Sequence, residues 1–373
     1  MAGIYIHIPF CKKACHYCNF HFSTSANLVE SFVTALLEEI ELQKIYLAEP
    51  VSTIYFGGGT PSILPAEKIK KILSALQQHY TIDIDAEITL EANPDDIDLQ
   101  KLEQWNLAGI NRLSIGVQSF FEEDLLWMNR SHTAFQAKEC IELAQSAGFQ
   151  NLTIDLIYGT PTLSDEQWQQ NVAEAIALGV AHLSCYALTV EPATALETMI
   201  RQKKMIPVDV EKQARHFELL MTWLQTAGFE HYEISNFAKP GFRSRHNSSY
   251  WQSKPYLGLG PSAHSFNGKS RQWNVANNAL YIQSLNKKIV PFEIEILSTE
   301  QQVNEYIMTA LRTMEGISLR KIEDEFGATV LSKILAGAQK HIAAFHLQKE
   351  KETITTTNAG KLLADGIAAD LFV

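Results

Sequence analysis

Three cysteines follow directly on the first apolar run of the chain, and their spacing constrains the fold more than any other feature. Cys11, Cys15 and Cys18 lie within eight residues of one another, in a C-x3-C-x2-C pattern, after the strand-like run at residues 4–8. The amino terminus shows no secretory leader, and disulfides are rare in a reducing cytosol. Crowded thiols therefore predict a metal or redox site at the end of the first strand.

Two kinds of metal centre suit three closely spaced thiolates. Structural zinc takes four ligands, so a zinc site would need His16 or His21 as its fourth. A [4Fe-4S] cluster can be held by three thiolates, with its fourth iron left open. The thiol count alone leaves both centres open.

The size and charge of the chain narrow the class of protein. With 373 residues, of which 46% are hydrophobic, the chain can form one large α/β domain with an appendage, or two ordinary domains. Its net charge of −11 argues against a broad nucleic-acid surface. No apolar run approaches the roughly 18 residues of a membrane span, so we expect a soluble, cytoplasmic protein.

Strand-like apolar runs alternate with amphipathic helical segments through the first half of the sequence. This alternation predicts an α/β fold whose parallel strands are joined by right-handed crossovers. Six strands with polar, Gly- or Pro-marked carboxyl ends predict a partial (β/α)6 barrel, with its chemistry at those ends. A doubly wound sheet fits the same pattern. The predicted strands are residues 4–8, 53–56, 87–92, 112–117, 152–158 and 182–188.

The pattern changes after the sixth strand, which predicts three parts of the chain. Residues 1–230 are expected to form the barrel with its cysteine loop, and residues 231–295 an aromatic- and Gly-rich connecting region of long loops. Three helical segments and a hairpin predict a winged-helix-like domain over residues 296–373. Such a module usually binds nucleic acid, but the net negative charge of the chain argues against that partner here.

Glycines and an acid mark the ends of the second and third predicted strands. Gly58 and Gly59 belong to a run of three glycines before Thr60, where the backbone can closely approach a ligand. A tight turn between strand and helix is the alternative. Glu91 ends an otherwise apolar strand, either as a site residue or as a solvated loop acid.

Further polar residues mark the fourth and fifth strands. Gln118 ends the fourth strand, and Asp155 lies inside the apolar fifth. A carboxylate within such a strand is costly unless it is paired, and Arg130 is the candidate partner. Cys140 and Cys185 are interpreted as buried packing residues.

Several sequence segments together resemble the coproporphyrinogen dehydrogenase group of the radical S-adenosylmethionine (SAM) superfamily. They are the cysteine loop and residues 56–62, 113–120, 155–161, 185–192 and 231–240. The resemblance covers residues 4 to about 270 and favours the partial barrel. It implies that Cys11, Cys15 and Cys18 hold a [4Fe-4S] cluster. It also implies SAM contacts from Tyr5, Tyr17, Gly58, Gly59, Thr60, Glu91, Gln118, Arg130 and Asp155. No catalytic residue is assigned.

Two departures separate the chain from the oxidases of that group. The oxidases carry a further cysteine where this chain has Phe20, and they have a longer segment before the loop than the ten residues that precede Cys11. Residues 245–251 instead match the His-Asn-x-x-Tyr-Trp signature of a heme-chaperone branch. The resemblance therefore implies heme carriage to an unknown acceptor protein, with peripheral membrane contact possible for such a carrier.

The same signature implies where heme would be contacted. His246, Tyr250 and Trp251 are the expected heme contacts, because imidazole is the usual heme-iron ligand and aromatic rings can flank a porphyrin. His264 is an alternative contact. Two other functions stay open: an oxygen-independent coproporphyrinogen III oxidase, which would convert propionates to vinyl groups, and a zinc-stapled β/α protein.

Overall fold

The apolar runs of the first half form six parallel strands in the computed structural model, which describes residues 2–373. Each strand pairs in parallel with the next along the chain, as a partial (β/α)6 barrel requires. The predicted α/β fold is confirmed. The strands are β1 (Ala2–Ile8), β2 (Val51–Gly58), β3 (Ile82–Ala92), β4 (Arg112–Gln118), β5 (Leu152–Tyr158) and β6 (His182–Ala187).

Amphipathic helices connect these strands and cover the outside of the barrel. Their starts are set by local chemistry: Thr133 and Ser164 each form a capping box with the glutamine three residues later. The helices are α1 (Val29–Leu42), α2 (Ala66–His79), α3 (Leu99–Ala108), α4 (Glu122–Trp127), α5 (Ala134–Ser146), α6 (Asp165–Ala177), α7 (Ala195–Arg201) and α8 (Val210–Thr226).

The two faces of β1 show how the barrel divides its residues. Ile4, Ile6 and Ile8 are fully buried on one face, in the core shared with the helices. Because side chains alternate along a strand, Tyr5 and His7 point to the other face, inside the barrel. The barrel interior is polar where the helical side is apolar, which leaves room there for hydrogen-bonded groups and ligands.

The connecting region extends the sheet on both edges, where the sequence predicted long loops. On the β6 side, β7 (Glu230–Glu233) and β8 (Asn236–Ala238) run antiparallel. On the β1 side, β9 (Tyr256–Leu259) pairs in parallel with β1. The edge continues with β10 (His264–Phe266), β11 (Ser270–Asn274) and β12 (Phe292–Ile296). Strands of three to five residues have too few alternations to be recognised from their sequence.

Two short helices belong to the same region. α9 (Arg245–Trp251) starts after Ser244, whose side chain accepts a hydrogen bond from the Asn247 N–H. It lies against β1 and β2 inside the barrel. α10 (Asn278–Leu285) packs outside, against α1. The signature segment is thus a helix in the barrel rather than part of a long loop.

The final residues pack around a second apolar core. Val303, Ile307, Ile322 and Ile334 are fully buried there. The elements are α11 (Thr299–Leu311), β13 (Ile317–Ser318), α12 (Leu319–Phe326), α13 (Ala328–Ala343), β14 (Leu347–Glu350), β15 (Thr353–Thr356), α14 (Asn358–Lys361) and α15 (Ala364–Asp370). Three longer helices and a hairpin match the predicted winged-helix pattern. We call residues 296–373 the C-terminal module; its bounds remain a prediction.

The C-terminal module docks on the β7–β8 edge of the sheet. The Arg312 guanidinium bonds the buried Glu233 carboxylate at 3.1 Å, and the Ile234 N–H donates to the Arg312 carbonyl. Within residues 2–373, no helix combines the length and the apolar character needed to cross a bilayer.

Candidate functional site

The carboxyl ends of the barrel strands and the cysteine loop enclose a cavity of about 510 Å³, which we call the mouth cavity. Parallel strands bring their carboxyl ends to one edge, so residues far apart in sequence meet there. All predicted cluster and SAM residues except Tyr5 line it. They are Cys11, Cys15, Tyr17, Cys18, Gly58, Gly59, Thr60, Glu91, Gln118, Arg130 and Asp155.

The three loop cysteines are free thiols that are half-buried at the cavity wall. Burial raises the pKa of Cys11 to about 11 and also raises that of Cys18. A thiol that is hard to ionise in the protein alone becomes a thiolate when it binds a cation, so metal binding here releases protons.

The loop geometry fits an iron–sulfur cluster. A side chain at Gly59 would place its Cβ 3.0 Å from Cys11 Sγ and 2.7 Å from the Phe10 carbonyl oxygen, so the strand end approaches the thiol only because glycine is there. Arg130 Nε is buried beside the loop without a hydrogen-bond acceptor in the described residues. Across residues 2–373, no three His, Cys, Asp or Glu side chains are grouped as a single-ion site. A four-iron cluster is wider than one ion and spreads its ligands accordingly.

Arg130 ties the cysteine loop to the barrel. Its Nη2 donates to the Gly116 carbonyl at 2.8 Å and to Asn93 Oδ1 at 2.9 Å. Its Nη1 lies 3.4 Å from Cys15 Sγ and 3.5 Å from the Tyr17 hydroxyl. A planar guanidinium with several fixed donors can hold these groups together with little loss of entropy. We infer that Arg130 fixes the loop relative to β4.

Glu91 faces the mouth cavity from the end of β3. The Tyr55 hydroxyl donates to Glu91 Oε1 at 2.8 Å, and the Gly58 N–H donates to Oε2 at 3.2 Å. Removal from bulk water raises the pKa of Glu91 to about 8, and the nearby Asp155 carboxylate adds to the shift. Glu91 is therefore a fixed cavity residue and not a solvated loop acid.

Asp155 has partners other than the one the sequence suggested. Arg130 hydrogen-bonds the cysteine loop and β4 and forms no ion pair with Asp155, whereas Arg112 and Ser184 lie near the Asp155 carboxylate. Burial raises the pKa of Asp155 to about 6, while the Arg112 and Arg130 charges oppose that rise. Two carboxyl groups with raised pKa values, Glu91 and Asp155, thus face one cavity, as a site for a cationic ligand would.

Gln118 and Tyr5 occupy special positions near this cavity. Gln118 ends β4 with φ of 67°, a left-handed conformation that is costly for a residue with a side chain. Tyr5 stacks on Tyr55 with ring centroids 6.2 Å apart and bonds His7 Nδ1 through its hydroxyl at 3.1 Å. Tyr5 therefore contacts the residue that orients Glu91, but it is not among the residues lining the cavity.

The predicted heme contacts lie on α9, inside the barrel. His246 is 1% exposed; its Nδ1 lies 2.8 Å from Thr53 Oγ1 and its Nε2 2.9 Å from the Tyr250 hydroxyl. Its ring also stacks on Tyr55 at 4.9 Å. Burial lowers the pKa of His246 to about 3, so the ring is neutral. Both ring nitrogens are occupied, and heme iron could reach them only after α9 moved.

A carboxylate holds the start of this helix. Glu87 is buried, and its two oxygens accept hydrogen bonds from the Arg245 and His246 N–H groups, each at 3.0 Å. A negative charge at a helix N-terminus is favourable, and Arg112 balances it from 3.8 Å. α9 therefore closes the amino-terminal end of the barrel, opposite the mouth.

Sequence reasoning missed three residues of the site. Tyr55 orients Glu91, Asn93 holds Arg130, and Tyr186 lines the cavity from the end of β6. Tyr55 had a signal in the strand alternation, because it shares the inward face of β2 with Thr53. Asn93 follows Glu91 at a strand end, where polar residues collect. Tyr186 had no comparable signal.

The fold and the mouth cavity together define a radical SAM protein. The sequence profile described as "Radical SAM superfamily" matches residues 5–175. Membership implies a [4Fe-4S] cluster and SAM, which agrees with the residues that line the cavity.

Curated relatives narrow the family. Heme chaperone HemW of Bacillus subtilis is 33% identical over 98% of this chain and 98% of its own length. HemW of Mycobacterium tuberculosis is 34% identical, over 99% of this chain and 94% of its own length. HemW of Escherichia coli is 36% identical over 70% of this chain and 69% of its own length. The chain belongs to the HemW family.

A solved structure shares the fold at low sequence identity. Coproporphyrinogen III oxidase (HemN) from Escherichia coli is 22% identical, with a TM-score of 0.86, and the match covers all of this chain and 90% of that one. The likeness confirms the partial barrel. At this identity it says nothing about the reaction.

Proposed function

We propose that this protein is a cytoplasmic heme chaperone. It binds heme, holds a [4Fe-4S] cluster and SAM at the barrel mouth, and passes heme to an acceptor protein. The observation that carries the proposal is the nearly full-length likeness to relatives named as heme chaperones. The mouth cavity supports it, because the residues expected to hold the cluster and SAM line one space.

The chain's own residues would hold the cofactors as follows. Cys11, Cys15 and Cys18 ligate the cluster, and Arg130 holds their loop against β4. When bound, the cluster with SAM supplies one-electron chemistry that side chains cannot perform. The backbone at Gly58 and Gly59 lets SAM approach closely, since neither carries a side chain. Thr60, Glu91, Gln118 and Asp155 would surround it from the strand ends. Tyr17 would contact it from the cysteine loop, whereas Tyr5 lies behind Tyr55, outside the cavity lining.

Glu91 supplies the charge that SAM requires. SAM carries a positive sulfonium, and a carboxylate walled off from bulk water attracts a cation more strongly than one in water. The two hydrogen bonds from Tyr55 and Gly58 fix the Glu91 carboxyl before the ligand arrives. Binding SAM therefore draws Glu91 into its ionised form and releases a proton.

Phe20 argues for carriage rather than porphyrinogen oxidation. Its ring is 65% exposed and lines the mouth cavity, at the position where the oxidases of the group carry a further cysteine. An apolar ring cannot replace a thiol as a ligand or a proton donor. The heme contacts predicted at His246, Tyr250 and Trp251 remain predictions that require α9 to move.

One experiment tests the proposal. Protein purified without oxygen is analysed for iron, sulfide and zinc, then titrated with heme and, in parallel, incubated with SAM, reductant and coproporphyrinogen III. We expect a four-iron cluster, stoichiometric heme binding and no vinyl-bearing porphyrin. Repeated turnover to a vinyl product would assign the oxidase function, and zinc in place of iron would assign the zinc-stapled alternative.

A further inference from the structure

A second and larger cavity lies between the barrel and the C-terminal module. This cleft has a volume of about 1050 Å³. One wall is the edge formed by β5, β6 and α8; the other is formed by α13, α14 and α15. Its size lies at the upper end of the range for small-molecule sites. Tyr186, Ala187 and Thr189 line both the cleft and the mouth cavity, so the two spaces share a wall.

Lys361 gives the cleft an uncompensated positive charge. Its Nζ donates to His231 Nδ1 at 2.9 Å, and it contacts no carboxylate in residues 2–373. His231 can accept this bond because its Nε2–H donates to the Ile234 carbonyl. Burial lowers the pKa of Lys361 to about 8. A half-buried ammonium without a counterion is unfavourable, and an anionic ligand would relieve that cost.

The other cations around the cleft already have partners. Arg312 is paired with Glu233 and Asp365, each at 3.1 Å. Lys340 is paired with Asp370 at 2.7 Å. The cleft therefore offers one free cation, Lys361, among the described residues that line it.

His346 gives the cleft an unoccupied imidazole. It is half-buried, and its ring nitrogens have no hydrogen-bond partner within residues 2–373. The other histidine of the cleft, His341, donates its Nε2–H to the Asp370 carboxylate at 3.1 Å. No histidine lines the mouth cavity. The imidazole of His346 thus lines a cavity with both nitrogens free to bind a ligand, whereas both nitrogens of His246 are occupied.

Aromatic side chains complete the cleft. Tyr158, Tyr186 and Phe217 line it from the barrel side, and the Tyr186 side chain is 43% exposed. Heme is a flat, largely apolar ring with an iron that binds imidazole and with two carboxylates at one edge. The cleft presents a matching feature for each of these parts.

We propose that the cleft between the barrel and the C-terminal module is the heme site, with His346 as an axial iron ligand and Lys361 paired to a heme propionate. This assignment rests on the proposed heme-chaperone function and replaces His246 as the ligand. It also gives heme a position beside the SAM cavity, across the wall that contains Tyr186.

Helix α9, which carries the His-Asn-x-x-Tyr-Trp signature, contacts a residue of the cleft wall. The Arg312 guanidinium lies over the Trp251 ring, 5.3 Å from its centroid, and Arg312 also lines the cleft. Changes in α9 can therefore alter the cleft without contacting heme. A His246 variant is expected to affect heme binding less than a His346 variant does.

The ligand assignment is tested by heme titration of the full-length protein. His346→Ala should weaken binding about tenfold or more and change the absorption and electron paramagnetic resonance spectra of bound heme. Added imidazole should restore the spectrum, which a purely structural defect would not allow. His79→Ala, at the end of α2, is the control, and His264→Ala tests the earlier alternative. If the wild type binds heme and His346→Ala binds it with the same affinity and the same spectra, the assignment is overturned.

The propionate contact is tested with heme dimethyl ester, which lacks both carboxylates. Wild-type protein should bind the ester about tenfold more weakly than heme, and Lys361→Met should remove that difference. Lys333→Met, an exposed lysine on α13, is the control. If the wild type and Lys361→Met prefer heme over the ester by the same factor, the contact is overturned. Failure of the wild type to bind heme at all overturns the proposed function instead.

Discussion

The mouth cavity and the cleft share a wall but differ in how their polar groups are satisfied. In the mouth cavity, Arg130 binds four protein groups and Glu91 accepts two hydrogen bonds. In the cleft, Lys361 has only a neutral histidine as its partner. The His346 ring lies 6.2 Å from the His341 ring, but its nitrogens have no hydrogen-bond partner in the described chain. One cavity is ordered before any ligand arrives, while the other keeps its binding groups free.

This difference suits two kinds of ligand. A resident cofactor benefits from groups that are already fixed, because little entropy is lost when it binds. A cargo that must leave again benefits from a few strong contacts that an acceptor protein can replace. We therefore expect the mouth cavity to be sensitive to small changes and the cleft to depend on two residues.

Loss of the cluster ligands should have the largest effect. Cys11→Ala, Cys15→Ala or Cys18→Ala leaves the cluster with too few thiolates, so its visible absorbance should be lost or nearly lost after anaerobic reconstitution. Cys140→Ala, a buried cysteine on α5, should keep the cluster. Heme binding should survive in all four variants, because the cleft lies outside the loop; loss of both together would contradict two separate sites.

The pH dependence of SAM binding tests the fixed acid of the mouth cavity. The pKa of Glu91 is raised to about 8, so below that pH the carboxyl must lose a proton to bind cationic SAM. Wild-type affinity should rise about fivefold from pH 7 to pH 8 and about twofold more above pH 8, levelling off near about pH 9. Glu91→Gln should bind SAM more weakly and without this pH dependence. A pH profile that is the same in both proteins would show that another group is responsible.

Tyr186 should couple the two cavities, because it lines both. In the wild type, SAM is expected to change heme affinity about fivefold, within the usual range for coupled sites. Tyr186→Ala should reduce that factor towards one, while Tyr158→Phe should preserve it. Calorimetric titration of heme, with and without SAM, measures the factor. An unchanged factor in Tyr186→Ala would mean that the shared wall does not transmit the effect.

Tyr55→Phe should have the smallest effect and should be confined to the mouth. It removes one hydrogen bond to Glu91 and keeps the ring that stacks on His246, so SAM affinity should fall only about threefold. Heme affinity should not change. An equal loss of both affinities would indicate that the barrel interior and the cleft respond as one unit.

Most of the residues that the sequence predicted for one site line the mouth cavity, because each lies in a short local motif. Both ends of strand β5 were predicted correctly, since Gly159 follows a mainly apolar run that starts at Leu152. The cysteine spacing, the glycines after β2 and the acid ending β3 each carry their signal within a few residues. Because the strands are parallel, these short motifs meet at one edge of the sheet.

The surroundings of His246 could not be predicted in the same way. Its partner Thr53 is 193 residues away in sequence, and Glu87, which accepts its N–H, is 159 away. The local signature names the histidine but not its burial. The cleft was hidden for the same reason, because it forms where α8 and β6 face helices from the other end of the chain.

The closure of the barrel by α9 sets the order in which ligands can move. Because Glu87 and α9 occupy the amino-terminal end, SAM bound at the proposed site would enter and leave through the mouth. Heme in the adjoining cleft would stand beside that exit and lengthen the residence time of SAM. The ligands would then bind in a fixed order, SAM first and heme second. The dissociation rate of SAM would then show whether such a carrier holds heme.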